Sequence, residues 1–454
     1  MTTLRVPHFA KGRLLENVSV QHRSRDQAIT FLTPEIVLDD LVCGRSDPLP
    51  AFGVKMDEII GLLVATGTAL DPDTNPHLQR ALDASEQVNV LSRRVLDHLY
   101  RMLPTFFDHE VLWNEVHLGL GDTYDDWRPH QVGGREYRLL ACPARMVHVL
   151  AGNGPGATAL SIVRAALSRG TSLLKLPSNE LMAATAILAT MADIEPNHPI
   201  VRSFSAAYWR GGDRSVESVI YRPQFVDKIV AWGGEDAIKN VQSYLGPGIE
   251  LVSMDPKVSI VMIGHEAFAS DETLVSVAAS AATDVGNQEA CNNSRYHFVE
   301  GSVGEVDRYC AELLEQLGIE RPRVDAVGHA TPPDIRDEVD VLRHLEPAYR
   351  VWGDYSGRGL VVRSEEPADF HPTAKTVNVI PVARLVDAVR YANVSTKTVG
   401  VYPSHRKAEF RDALVSAGVE RVTTLGGGYG DTVGMPHDAM LVLGRLVRWV
   451  VECD

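Results

Sequence analysis

A chain of 454 residues exceeds one ordinary hydrophobic core, so two or three domains are expected. Its 45% hydrophobic and 23% charged residues are those of a soluble globular protein, and a formal charge of −15 argues against nucleic acid or an anionic membrane as the principal partner. The five cysteines (Cys43, Cys142, Cys291, Cys310 and Cys453) are odd in number, widely spaced and without a C-x-x-C pair, which disfavours a disulfide framework or structural zinc.

Met1 to Glu16 has scattered charges and no apolar core, so no secretory signal is expected there. No apolar run is long enough to span a bilayer, and the thiols suit a reducing compartment, so the expected location is cytoplasmic. Thr74 to Pro104 shows apolar positions at helical spacing. Asp122 to Tyr137, polar and aromatic with Gly133-Gly134 near its end, reads as a loop or protruding arm. From Tyr137 strands and helices alternate. Arg145 to Ala151, Thr171 to Leu176, Val226 to Trp232 and Val258 to Ile263 read as strands, each followed by a helical pattern. Alternation of this kind indicates an α/β protein with a largely parallel sheet. Gly318 to Asp369 is more polar and irregular; alternation resumes at Thr376 and ends with an expected helix closing near Val451. There is no internal repeat and no low-complexity segment.

The stretch Gln288-Glu289-Ala290-Cys291-Asn292-Asn293-Ser294-Arg295 sets a cysteine among amides and small residues, between a helical pattern and a strand. A thiol there can serve acyl chemistry as a nucleophile; equally, a lone cysteine can be a small buried hydrophobe. Three upstream turns bear on the choice. Ala151-Gly152-Asn153-Gly154-Pro155-Gly156 places an amide donor, Asn153, at a strand's carboxyl end, where it could stabilise an oxyanion or merely cap a helix. Lys175-Leu176-Pro177-Ser178 ends a strand with a lysine able to reach nucleotide oxygens, or solvent. Trp232-Gly233-Gly234 opens a helix whose amides could face a pyrophosphate, although it is no G-x-G-x-x-G fingerprint.

Asn153, Lys175-x-Pro177-Ser178, Trp232-Gly233-Gly234 and Gln288-x-x-Cys291, in that order and spacing, resemble the aldehyde dehydrogenase superfamily. Within it the chain is most similar to the LuxC-type acyl-CoA reductases, a likeness that extends to Met435-Pro436-His437-Asp438-Ala439-Met440. The resemblance implies an α/β fold with a Rossmann-type NAD(P)-binding domain, an α/β catalytic domain and a small oligomerisation arm. Here these would be residues 1–255 with the tail 426–454 packing back, residues 256–425, and a stretch near 122–142. It also implies that Cys291 is the nucleophile, that Asn153 and the Cys291 amide form the oxyanion site, and that Lys175, Ser178, Gly233 and Gly234 hold the cofactor. A homo-oligomer follows from the same likeness.

Departures from the superfamily pattern refine this. Where hydrolytic relatives carry Glu-Leu-Gly-Gly, this chain reads Leu251-Val252-Ser253-Met254; Ser253 takes the glutamate's place and Glu250 is left as an offset candidate base. Without that base, an acyl-enzyme would persist for reduction. The Glu-x-Phe that contacts the nicotinamide ribose in many relatives is replaced around Lys375-Thr376-Val377. Ser178, rather than an acid, follows Lys175 by three residues, which favours NADPH while leaving NADH possible, and Glu180 stands two further on. The expected reaction is NADPH-dependent reduction of an acyl thioester, from acyl-CoA or an acyl-carrier protein, to an aldehyde, with an acyl-transferring protein as a possible partner. Aldehyde oxidation to an acid, or acyl transfer or thioester hydrolysis by the same cysteine, are the alternatives. Arg295 is expected to brace the cysteine loop, Gly426 to Gly430 to edge the cleft rather than cradle a phosphate, and His437-Asp438 to form a cap or an inter-subunit contact rather than a base and its orienter. The histidines His265, His329, His344 and His371 have no ligand spacing, and no metal is assigned.

Overall fold

The computed structural model describes residues 3–428 and 433–453. The chain divides into two compact units. The first comprises Met1–Asn89, Leu96–Asp255 and Thr432–Asp454, and the second Val90–Val95 and Pro256–Asp431.

In the first unit, helix α1 (Pro76–Val88) starts where its sequence dictates: Asn75 accepts from the His77 and Leu78 amides, and Pro76 occupies the first turn. The periodic stretch from Thr74 to Pro104 is not one helix but two, because α1 stops at Val88 and a second helix begins only at Arg93. The strands β1 (Arg145–Val149), β2 (Thr171–Lys175), β3 (Phe204–Ala207), β4 (Lys228–Trp232) and β5 (Glu250–Met254) pair in the order β5-β4-β1-β2-β3, all parallel. Helices α2 (Pro155–Leu167), α3 (Ala183–Ile194) and α4 (Glu235–Gln242) alternate with them. Strands β1 and β2 are buried along their whole length, as strands covered on both faces must be. Two short antiparallel strands, His8–Ala10 and Arg13–Leu15, extend the sheet beyond β3. The order reverses between β1 and β4, and crevices at such reversals, outside the strands' carboxyl ends, are where open α/β sheets bind ligands.

The arm expected near residues 122–142 is a hairpin, Arg128–Val132 with Arg135–Cys142, turning on Gly133 and Gly134, both at positive φ. The expected C-terminal helix is corrected. Only Val442–Leu446 is helical, and Arg448–Cys453 is a strand paired antiparallel with Arg135–Cys142. Trp449, Val450 and Val451 favour strand, and the hairpin supplies an edge for them.

The second unit repeats the plan. Strands β6 (Val258–Ile263), β7 (Ser294–Glu300), β8 (Tyr349–Gly353), β9 (Leu360–Ser364), β10 (Thr376–Val382), β11 (Thr396–Tyr402) and β12 (Arg421–Thr424) pair in the order β8-β9-β10-β7-β6-β11-β12. All pairs are parallel except β8 with β9. Helix α5 (Asp271–Val285) is capped by Ser270, carries Asp271 and Glu272 in its first turn and ends on Gly286 at φ +56°. Helix α6 (Val303–Leu317) opens with a reciprocal Ser302–Glu305 capping box. These two helices pack on the sheet through Leu274, Val277, Ala281, Tyr309, Cys310 and Leu313. Cys310 is part of that core, and burial pushes its thiol well above the usual range. Among the described residues no helix is long and apolar enough to cross a membrane.

Candidate active site

The carboxyl edge of the first sheet gathers five of the residues singled out in the sequence. Ala231 pairs with Val149 and Val149 with Lys175, so the loops after β1, β2 and β4 leave the sheet side by side. They carry Asn153, Ser178 and Gly233-Gly234 respectively. Asn153 is half-buried and is not a helix cap; that position belongs to Gly154, at φ +148°, with Pro155 opening α2. Gly152 is needed for a close approach, since a Cβ there would stand 1.7 Å from Asn179 Oδ1. The β4 turn is close-packed on one side only: a Cβ on Gly233 would meet Ala237 Cβ at 2.9 Å, one on Gly234 would meet nothing within 4 Å, and Gly234 is the N-cap of α4. The first turn of α4 also holds Glu235 and Asp236, but Glu235 is drawn back to Lys239 at 2.5 Å.

Lys175 is not the solvated strand-end lysine that its position alone allows. It is 9% exposed, its Nζ lies 5.6 Å from the Trp209 ring centroid, and burial lowers its pKa to about 8 against the opposing pull of Glu217. Glu217 is itself buried and accepts from Trp209 Nε1, the Gly212 amide and Asn240 Nδ2. Glu180 turns inward. Its carboxylate accepts from Ser85 Oγ at 2.8 and 2.9 Å and from Tyr100 Oη at 3.0 Å, and burial raises it to about 7.

The Glu180 shift gives a test of this packing. With the folded-state pKa raised from 4.5, the carboxyl's contribution to stability is full below pH 4.5 and is lost as pH rises through 7. Glu180→Gln removes that dependence. Its stability relative to wild type should therefore grow between pH 4.5 and 8, by about 3 kcal/mol at most, in denaturant unfolding at each pH. A constant difference across that range would contradict the burial argument.

Glu250 lies at the wrong end of the sheet to activate water near the carboxyl-edge loops. It pairs with Lys228 at the amino end of β4, four residues and about 13 Å of strand from Trp232. Burial alone would raise its pKa, but ion pairs with Lys228 and with Arg445 at 2.6 Å hold it below the usual carboxylate range. Ser253 donates to Asp255.

In the second unit, Cys291 is half-buried on the loop between α5 and β7. That loop is braced throughout. The Cys291 carbonyl accepts from Ser259 Oγ at 2.9 Å, and Asn293 Oδ1 accepts from the Ala290 amide at 2.9 Å. Gln288, at φ +60°, donates to Thr376 O at 2.7 Å and accepts from the Thr376 amide. Arg295 donates to Gln288 O at 2.9 Å and to Pro372 O, the bracing expected of it, with its charge in electrostatic reach of Cys291. Asn292 donates to Gly428 O at 3.1 Å.

Gly426 and Gly428 form no phosphate cradle, because their amides donate to Asp284, whose buried carboxyl is raised to about 6. Tyr429 and Gly430 lie outside the described residues. Lys375 is buried, with Nζ donating to Leu317 O, Asp325 O and Ala326 O.

The profile of the family described as "Acyl-CoA reductase (LuxC)" matches residues 52–449. The chain belongs to the LuxC acyl-CoA reductase family. It is an oxidoreductase, an acyl reductase. It is 28% identical over 347 residues to the long-chain acyl-protein thioester reductase of Vibrio harveyi, across 75% of this chain and 70% of that one. It is 30% identical over 355 residues to the protein of the same description from Photorhabdus luminescens, across 75% and 69%. Its fold is that of the aldehyde dehydrogenases: it superposes on aldehyde dehydrogenase 21 of Physcomitrella patens with a TM-score of 0.75 at 11% identity, covering 100% of this chain and 98% of the other.

This LuxC-family chain also places residues that its sequence alone did not single out. Glu217, Trp209, Ser85 and Tyr100 come to the carboxyl-edge loops from distant segments, so no local motif marks them. His437 packs edge-to-face on Trp232 at 5.2 Å, with Asp438 Oδ1 3.6 Å from its Nε2. In the second unit His265, Glu266 and Glu300 present ligand-type atoms within 4.8 Å of one another. Their cation is already Arg406, whose Nη1 reaches Glu300 at 2.5 Å and Glu266 at 3.4 Å.

Proposed function

We propose that the protein reduces an acyl thioester, carried by CoA or by an acyl-carrier protein, to an aldehyde, with NADPH as reductant and Cys291 as the acylated residue. The observation that carries this is the gathering of Asn153, Lys175, Ser178 and the Gly233-Gly234 turn on one carboxyl edge at the reversal of strand order. Relatives named long-chain acyl-protein thioester reductases favour a long acyl chain and a protein donor.

The residues on that edge suit a dinucleotide. Trp232 Nε1 is buried there without a hydrogen-bond partner among the described residues, and the Gly233-Gly234 turn leaves room for phosphate oxygens beside the start of α4. Lys175 and Ser178 would contact the adenosine ribose. Ser178 is neutral and Glu180 is committed to Ser85 and Tyr100, so no acid of this loop opposes a 2′-phosphate. A nicotinamide held there supplies the hydride.

Cys291 attacks the thioester carbonyl, and the carrier thiol leaves as a new thioester bond to Sγ forms. Asn153 Nδ2 and the Cys291 amide donate to the oxyanion, an effect worth about 3 to 4 kcal/mol per donor. Reduced to the aldehyde level, the acyl group leaves Sγ as the carbonyl re-forms. With Glu250 fixed at the opposite sheet edge, hydrolysis of the acyl-enzyme has no base from that position.

NADPH absorbance followed with a panel of acyl-CoAs tests the reading, with NADH and a Cys291→Ala variant as controls. Cysteine-dependent oxidation with aldehyde formed is expected. Thiol release without oxidation would replace it with acyl transfer, and acid formed from aldehyde without added thiol would replace it with oxidation. Lys175→Met should weaken NADPH binding about tenfold, or about 1.4 kcal/mol. Because the Lys175 ammonium persists only below about pH 8, wild-type affinity should fall as pH rises through 8 and that of the variant should not. Equal, pH-independent affinities in a fluorescence titration would remove Lys175 from the cofactor site.

A further inference from the structure

One short stretch, residues 89–94, carries polar anchors in each unit. Asn89 ends helix α1, its N–H donating to Ser85 O at 2.8 Å. Its Nδ2 donates both to Gly152 O at 3.1 Å and to Asn179 O at 3.0 Å. A single amide thus ties the loop of Asn153 to the loop of Ser178. One turn earlier Ser85 grips Glu180, so the end of α1 holds the β2 loop at two successive residues.

The chain then enters the second unit. Ser92 Oγ donates to Asp325 Oδ1 at 2.5 Å, and Arg94 Nη2 donates to the same oxygen at 3.1 Å and to Val324 O at 2.7 Å. The other oxygen of Asp325 accepts from Asn287 Nδ2 at 3.0 Å, and the Asp325 amide donates back to Asn287 Oδ1 at 3.1 Å. Asn287 is four residues before Cys291. Asp325 and Asn287 are 7% and 6% exposed, so water does not readily replace these bonds.

We propose that residues 89–94 are a positioning strap: Asn89 sets the loops of Asn153 and Ser178, and Ser92 with Arg94 sets, through Asp325 and Asn287, the loop of Cys291. The proposal rests on the roles given above to Asn153 and Cys291. The strap residues act by position: Asn89 holds the Gly152 and Asn179 carbonyls, and Ser92 with Arg94 holds the Asp325 carboxylate against the Asn287 side chain. Displacing a catalytic group by about 1 Å costs on the order of 100-fold in rate, which sets the scale.

The test compares two rates on the full-length protein: acyl-enzyme formation from an acyl-CoA, and alkylation of Cys291 by iodoacetamide. Asn89→Ala and Asn89→Asp, the latter keeping the shape but losing the donors, should each slow acylation about 10- to 100-fold with alkylation unchanged. Ser92→Ala, the milder change should the Asn89 variants fail to fold, should alter alkylation of Cys291 and leave NADPH affinity as in wild type. Wild-type acylation in both Asn89 variants, or unaltered alkylation in Ser92→Ala, would overturn the strap. Absence of acyl-enzyme in the wild type would instead overturn the function on which it rests.

Discussion

Cys291→Ala is expected to lose thioester reduction almost completely, by about 10⁴-fold or more, the scale reached when a covalent nucleophile is removed. The argument is chemical as well as positional. Of the five cysteines, Cys310 is sealed in the packing between α5 and α6, and burial raises both its thiol and that of Cys142. Cys43 and Cys453 lie on segments that carry none of the motifs. Cys291 is half-buried on a loop whose neighbours on both sides, Gln288, Asn292, Asn293 and Arg295, donate to backbone carbonyls. Far-ultraviolet circular dichroism should be unchanged in the variant, since a half-buried Cys→Ala change removes one sulfur. NADPH binding should also persist. Residual turnover within tenfold of wild type would contradict a cysteine nucleophile.

Asn153→Ala should lower the rate of acylation by about 10²- to 10³-fold, as expected for one lost oxyanion donor. The fold should survive, because Asn153 is not the helix cap: Gly154 and Pro155 start α2 without it. Cofactor affinity should change little. The loss should therefore appear in kcat with acyl-CoA and in the single-turnover acylation rate, whereas alkylation of Cys291 by iodoacetamide, which develops no oxyanion, should be unaffected. Equal losses in both rates would mean that Asn153 shapes the loop and does not stabilise the transition state.

Much of the architecture was legible in the chain because its strands are buried on both faces and its helices are punctuated. Arg145–Val149, Thr171–Lys175 and Val258–Ile263 are continuous or nearly continuous runs of buried residues, whereas the helix Val303–Leu317, capped by Ser302, was not read from the sequence. The last strand was not legible. Leu441 to Val451 carries apolar residues at helical spacing, and what makes Arg448–Cys453 a strand is an edge provided by Arg135–Cys142, three hundred residues earlier. Propensity yielded there to tertiary pairing. The break between Val88 and Arg93 was hidden for a related reason: the periodicity continues across it, but Asn89 and Ser92 direct their side chains to distant partners.

The candidate site divides in the same way. Asn153, Lys175, Ser178, Gly233, Gly234 and Cys291 stand at ends of elements, where a strand-to-helix or helix-to-strand change marks them in sequence. The groups that fix them do not. Glu217 beneath Lys175, Ser85 and Tyr100 on Glu180, and Asp325 on Asn287 come from 42, 95, 80 and 38 residues away respectively. Glu250 shows the reverse error. Sequence proximity to the expected motif made it a candidate base, but a strand has two ends, and its carboxylate belongs to the amino edge with Lys228 and Arg445.

The most direct test of the central claim is to incubate the protein with an acyl-CoA in the absence of cofactor and map the acyl group by peptide mass spectrometry. One acyl group on the peptide containing Cys291, discharged as aldehyde on adding NADPH, is the predicted result. Steady reductase turnover with no acyl group on Cys291, or with the acyl group on another residue, would contradict it.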